Sequence, residues 1–172
     1  MLIQLSSEVT EKCMSFAQEC VHTNKYYASR GQANVDKIIN DIFVGKCGEW
    51  ASYEFLKLHY DNIQLPDLAI YRGGKKSHSA DLMSNDVLFS VKTQSLESVK
   101  LYGMSWLMEK SSLPKFLNHN VVLCLEISFG QILIQNIVPF ADMLLVQAEP
   151  RLKHLKTKCA FYYSDMLKKN IR

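Results

Sequence analysis

The stretch Phe89-Ser90-Val91-Lys92-Thr93-Gln94 decides how the chain is interpreted, because it places a lysine inside an apolar, extended segment. β-Branched and aromatic residues favour strands, and successive residues of a strand point to opposite faces. Ser90, Lys92 and Gln94 therefore share one face of the predicted strand. Burying an ammonium group without a partner is costly. We therefore expect this face to carry a functional site that supplies a partner for the charge.

The neighbouring segments predict a sheet that is preceded by helices. Residues 67–71, 80–83 and 86–93 have the pattern of three short strands, and Asp81 opens the second one. The turn Ser84-Asn85-Asp86 joins the last two strands as a hairpin. Upstream, residues 7–30 and 35–60 carry apolar side chains at helical spacing.

Gly45 and Gly48 interrupt the second predicted helix, and Glu49 follows the second of them directly. Each glycine weakens a helix by about 1 kcal/mol relative to alanine. Such a cost is tolerated where the backbone must approach another element closely. We expect that element to be the sheet.

The rest of the chain predicts mixed elements: a loop or short helix at 95–102, strands at 105–109, 121–127 and 132–138, a short helix at 140–146, and a strand at 159–163. The class is α+β, with a mixed central sheet flanked by helices. A length of 172 residues fits one domain. Within it we expect N-terminal helices (1–44), a core (45–127) and a C-terminal extension (128–172).

Composition indicates an ordinary globular protein, with 48% hydrophobic and 22% charged residues. The net charge of +3 permits nucleic-acid binding without requiring it. The five cysteines show no Cys-x-x-Cys spacing, and we expect reduced core thiols in a cytoplasmic protein. The apolar runs are far too short to cross a membrane, so no membrane partner is expected.

Glu49 on a predicted helix, Asp81 on a strand and Lys92 on the next strand together resemble the PD-(D/E)xK, or restriction-endonuclease-like, nuclease superfamily. The resemblance covers about half of the chain and implies an α-β-β-β-α-β core. It also implies that Asp81, Glu49 and the backbone carbonyl of Val91 hold Mg²⁺ or Mn²⁺. Lys92 would then position the attacking water, and Gln94 matches a glutamine that several branches place beside the lysine.

The chain departs from the family pattern at Ser90, where an acidic residue is expected two positions before the lysine. Two alternatives follow. Either Glu49 supplies the missing charge and cleavage is retained, or metal binding is weak and catalysis is lost. Asp67, which follows Pro66, is a further alternative, because it could exchange roles with Asp81.

Basic residues outside the motif are candidates for contacts with nucleic acid. Arg72, Lys75 and Lys76 belong to a glycine-containing loop, and Lys153 and Lys156 belong to a basic C-terminal cluster. Solvated charged segments are the alternative explanation for both. Trp106 could stack on a base, although core packing is favoured.

The resemblance implies a Mg²⁺-dependent endonuclease that acts on DNA rather than RNA, of a kind that phages and mobile elements encode. A homodimer would suit it, because a double-strand cut needs two such sites. The first alternative is an inactive relative that binds nucleic acid or a protein partner. The second is an interaction protein whose helices and sheet carry no chemistry.

Overall fold

A computed structural model describes residues 1–23, 34–71 and 80–171 of the chain. The helices are α1 (Ser7–Thr23), α2 (Val35–Leu56), α3 (Leu96–Tyr102), α4 (Phe140–Met143) and α5 (Tyr163–Lys168). The strands are β1 (Leu2–Gln4), β2 (Leu82–Ser84), β3 (Val87–Ser95), β4 (Ser105–Glu109), β5 (His119–Ser128), β6 (Gln131–Pro139), β7 (Gln147–Ala148) and β8 (Lys158–Tyr162). A 3₁₀ helix, Lys110–Phe116, leads into β5.

The central sheet has five strands in the order β1-β6-β5-β3-β2. Its hairpins β2–β3 and β5–β6 are antiparallel, whereas β3 and β5 run parallel. Parallel neighbours need a crossover connection, and α3, β4 and the 3₁₀ helix provide it here. The predicted α+β class with a mixed sheet and helices is therefore confirmed.

Helices α1 and α2 cover one face of this sheet. Their apolar side chains pack with Phe89 and Val91 of β3 and with Val122 and Cys124 of β5 in one buried core. Gly48 allows the close approach, because a Cβ atom at this position would lie 1.8 Å from Oγ1 of Thr93. The expectation that the helical glycines approach the sheet closely is correct for Gly48 and wrong for Gly45, where an added Cβ would meet no described atom within 4 Å.

The opposite face is covered by a second, three-stranded sheet in the order β4-β8-β7 and by the short helices α4 and α5. Val121 and Leu123 of β5 point into this second core. Strand β6 has a bulge at Gln135, since Leu123 pairs with Asn136 and Cys124 pairs with Ile134. Because of the bulge, Ile134 packs in the first core and Val138 packs in the second. Trp106 is buried in the second core and donates to the Cys124 carbonyl at 3.3 Å, so the favoured packing role is confirmed.

The cysteines are free thiols and all are buried, as the sequence predicts: Cys13, Cys20, Cys47, Cys124 and Cys159. Burial raises the pKa of the Cys124 thiol to about 12, so it stays protonated. Within the described ranges, no helix is both long and apolar enough to cross a membrane.

One predicted strand is wrong. Residues 67–71 have no strand conformation. The carboxylate of Asp67 instead accepts hydrogen bonds from the Ala69 N–H at 2.8 Å and from the Tyr71 hydroxyl at 2.7 Å. Such local bonds from an aspartate compete with the hydrogen bonds of a sheet. The second helix also ends at Leu56, several residues before the predicted end.

Candidate functional site

The β2–β3 hairpin positions Asp81. Its turn contains Asn85 at a φ of 49°, a left-handed conformation that asparagine tolerates better than most residues. Leu82, the first residue of β2, pairs with Phe89. Asp81 comes directly before it and therefore lies beside the part of β3 that β2 does not cover. There the Oδ2 atom of Asp81 accepts a hydrogen bond of 2.8 Å from the Val91 N–H.

Lys92 reaches the same edge of β3. Its Nζ donates to the Val91 carbonyl at 3.2 Å and lies 5.4 Å from the centre of the Phe116 ring. The side chains of Asp81 and Lys92 are both half-buried. The structure therefore brings together Asp81, Val91 and Lys92, three of the predicted site residues, around the backbone of one residue.

Ser90 contacts a histidine that the sequence did not single out. Its hydroxyl lies 2.8 Å from Nδ1 of His119, and the two residues are buried. Burial lowers the pKa of His119, the positive charge of Lys92 lowers it further, and the negative charge of Asp81 acts in the opposite direction. The lowered pKa favours the neutral imidazole at pH 7. Ser90, which stands where the superfamily pattern has an acid, is therefore hydrogen-bonded to an uncharged partner.

Glu49 occupies a different environment. Its Oε2 forms an ion pair of 2.6 Å with the Nζ of Lys46, and Lys46 also donates to the Asp67 carbonyl at 2.9 Å. The ammonium lies 4.7 Å from the centre of the Phe16 ring of α1. Glu49 thus belongs to the helical face of the sheet, whereas the side chain of Lys92 lies on the opposite face.

Gln94 shares the face of Ser90 and Lys92, as predicted, and it is buried. The hydrogen bonds of its side-chain amide are to neighbouring parts of the protein. The Oε1 atom accepts from the Ser105 N–H at 2.8 Å, and Nε2 donates to the Gly103 carbonyl at 3.0 Å and to the Ser98 hydroxyl at 3.2 Å. The side chain of Gln94 therefore stabilises the turn between α3 and β4.

The predicted contacts with nucleic acid are only partly described. Arg72, Lys75 and Lys76 lie outside the described residues, and so does the side chain of Lys153. Lys156 is exposed just before β8. Its position is compatible with either of the roles expected for it.

Within the described part of the chain, no group of three or more His, Cys, Asp or Glu side chains is arranged to hold a metal ion. Asp81 offers a carboxylate and Val91 a carbonyl at the edge of β3. Mg²⁺ is commonly held by only one or two carboxylates together with waters and substrate phosphates. The oxygen donors at this edge fit that minimal pattern.

Sequence reasoning missed His119 and Phe116. His119 lies 29 positions from Ser90 along the chain, and the two meet only because β3 and β5 pair in parallel. No local pattern marks either residue. The site that the structure assembles thus consists of Asp81, Ser90, Val91 and Lys92, with Phe116 and His119 beside them.

No protein-family model, no curated protein and no solved structure matches the chain.

Proposed function

We propose that the protein is a Mg²⁺-dependent endonuclease that hydrolyses phosphodiester bonds, with DNA as its expected substrate. One observation carries this proposal. The carboxylate of Asp81 and the ammonium of Lys92 engage the N–H and the carbonyl of Val91, at the edge of the central sheet. A carboxylate and a cation that both contact the backbone of one residue suit a phosphate group and its counter-ion.

The order of elements also supports the proposal. Helix α2 is followed by the β2–β3 hairpin and by α3; β4 and the 3₁₀ helix then lead to β5, which is parallel to β3. This order resembles the restriction-endonuclease-like core without its first strand, which would correspond to residues 67–71. We infer that the protein is a diverged member of that superfamily.

Asp81 and the Val91 carbonyl would hold the metal ion together with waters. Glu49, the third ligand that the resemblance implies, lies on the helical face of the sheet, where its carboxylate pairs with Lys46, so this arrangement does not bring it to the Asp81 edge. When bound, Mg²⁺ would polarise the phosphate and lower the pKa of a coordinated water. The other oxygen of Asp81, Oδ1, forms no hydrogen bond to a described residue.

Lys92 would position the attacking water, as the resemblance implies, and stabilise the negative charge that develops on the scissile phosphate. Its half-buried position strengthens this interaction, since charges act more strongly where water is partly excluded. Ser90 contributes a neutral hydroxyl, which is a weaker ligand for Mg²⁺ than a carboxylate. We therefore expect weak metal affinity and a requirement for millimolar divalent ion.

Recognition of the duplex would fall to basic residues outside the Asp81–Lys92 site. The net charge of +3 suits a polyanionic partner, and Lys156 offers an exposed cation. Arg72, Lys75, Lys76 and Lys153 would extend this contact. A second copy of the chain would supply the second site that a double-strand cut requires.

A second candidate function is an inactive module that binds nucleic acid or a protein partner. The hydrogen bond between Ser90 and His119 favours it, because the position of the missing acid is occupied by an uncharged pair. Such a protein would retain the phosphate contact of Lys92 and lose metal-dependent cleavage.

The deciding experiment is cleavage of supercoiled plasmid by the purified protein in Mg²⁺ or Mn²⁺. Lys92→Ala should reduce the rate by about 10² to 10⁴-fold. Lys100→Ala, which alters an exposed lysine on α3, should leave the rate unchanged. Circular dichroism would verify that the variants fold.

The results separate the candidates. Equal cleavage by Lys92→Ala and wild type would remove the site from the proposal. If the wild type does not cut but binds DNA with an affinity that falls linearly on a log–log plot against salt, the inactive module is favoured. If it neither cuts nor binds, the interaction protein without chemistry is the remaining account.

A further inference from the structure

The aromatic ring of Phe116 lies against the ammonium of Lys92. Phe116 ends the 3₁₀ helix that leads into β5, and its ring centre is 5.4 Å from the Lys92 Nζ. A lysine ammonium within about 6 Å of a phenylalanine ring centre is attracted by the negative electrostatic potential of the ring face. The ring is therefore a second partner for Lys92, besides the Val91 carbonyl.

Two edge-to-face aromatic contacts hold the Phe116 ring in place. Phe116 packs edge-to-face against His119, with ring centres 5.4 Å apart, and against the fully buried Phe140 at 5.8 Å. His119 is in turn held by the Ser90 hydroxyl, two positions before Lys92 on β3. Lys92, Phe116, His119 and Ser90 thus form a closed chain of contacts that begins and ends on the same strand.

We propose that Phe116 is a positioning residue for Lys92, which keeps the ammonium at the Asp81 edge of β3, ready to meet a phosphate. This inference deepens the proposed nuclease function and rests on it. A lysine side chain has a long flexible stem and loses considerable rotamer entropy when its head group is fixed. A rigid ring that restricts the stem in advance removes part of that entropic cost from the stabilisation of the charge that develops on the phosphate in the transition state.

The alternative role for Phe116 is stacking on an unpaired base. The geometry disfavours it, because the ammonium of Lys92 lies over the ring face while His119 and Phe140 contact the ring edge-to-face. Base stacking needs an open ring face. The contacts of Phe116 are those of a support for Lys92.

The direct test is nuclear magnetic resonance of the protein after reductive ¹³C-methylation of its lysines, which preserves their charge. The Lys92 dimethylamino signal is identified by its absence in Lys92→Arg. In the wild type it should be shifted upfield by the ring current of Phe116. Phe116→Leu should remove the shift, and Phe116→Tyr should keep it.

A matched control is Phe129→Leu, which removes an exposed ring that stacks on Phe43 on the other face of the sheet. It should leave the Lys92 signal unchanged. A Lys92 signal with no upfield shift in the wild type, or one that persists in Phe116→Leu, would overturn the inference.

The kinetic test separates this inference from the proposed function. In a wild type that cleaves DNA, Phe116→Leu should lower kcat by about 10-fold to 100-fold with KM little changed, and Phe116→Tyr should retain wild-type kcat. An unchanged kcat in Phe116→Leu would refute the positioning role while the nuclease function stands. If the wild type does not cleave, the nuclease function fails, and the resonance experiment still decides whether Phe116 holds Lys92.

Discussion

Replacing Gly48 by alanine should destabilise the protein, because α2 approaches β3 most closely there. The added Cβ would lie 1.8 Å from Thr93 Oγ1 and 2.9 Å from Thr93 Cβ. Overpacking against a stiff β-branched side chain costs up to about 3 kcal/mol. The better helix propensity of alanine returns about 1 kcal/mol. We therefore expect the free energy of unfolding to fall by up to about 2 kcal/mol, which lowers Tm by up to about 8 °C for a protein of this size.

Gly45 on the same helix is the matched control. An added Cβ there meets no atom of the described residues within 4 Å, so Gly45→Ala should gain the helix propensity alone. This variant should be more stable than the wild type by up to about 1 kcal/mol. Urea and thermal unfolding, followed by circular dichroism, would measure both variants.

A double mutant tests the specific contact. Thr93→Ala removes the two atoms of the Thr93 side chain beyond Cβ, so Gly48→Ala should be less harmful in that background. Equal stability of Gly48→Ala and Gly45→Ala would refute the reasoning. It would mean that α2 does not pack on the face of β3 opposite to Lys92.

Two further predictions concern buried charges. Burial raises the pKa of Glu126 on β5, so the folded state holds this proton more tightly than the unfolded chain does, and stability falls as the pH rises above about 4.3. Glu126→Gln should therefore raise Tm at pH 7 and leave it unchanged near pH 3.5; a change of equal size at both pH values would contradict this. Lys46→Met should cost about 3 kcal/mol in urea unfolding, because the Lys46–Glu49 pair is almost fully buried. Lys12→Met breaks the exposed pair with Glu8 and should cost less than about 1 kcal/mol. Similar losses of unfolding free energy in the two variants would contradict the burial of the Lys46–Glu49 pair.

Strand alternation accounts for how much of the site was predictable. The sequence of β3 predicts that Ser90, Lys92 and Gln94 share a face, and their contacts with His119, Phe116 and Ser105 confirm it. The hairpin at Asn85 was predictable as well, because its turn residues are local signals. Both inferences rely on neighbouring residues alone.

The partners of Ser90 and Lys92 were not predictable. They depend on the register between β3 and β5, which pairs Leu88 with His119. Two parallel strands joined by a long crossover leave no local trace of that register. The covering of this face by the sheet β4-β8-β7 has the same origin, since its strands come from two distant parts of the chain.

The failed strand prediction at residues 67–71 has a local cause. Apolar residues follow Asp67 without interruption from Leu68 to Ile70, yet the Asp67 carboxylate accepts hydrogen bonds from the Ala69 N–H and the Tyr71 hydroxyl. The backbone of this segment is also tied to Lys46 through the Asp67 carbonyl. A residue-type pattern shows strand propensity but not these competing bonds.

The most direct test of the central claim is the Mn²⁺ affinity of the wild type and of Asp81→Asn, measured by calorimetry at equal pH. Asparagine keeps an oxygen that can accept from the Val91 N–H, so the fold should be preserved, while the negative charge at the edge of β3 is lost. We predict that Mn²⁺ binds the wild type and binds Asp81→Asn at least about tenfold more weakly, a difference of about 1.4 kcal/mol. Equal Mn²⁺ affinity in the two proteins would contradict the assignment of Asp81 as a metal ligand.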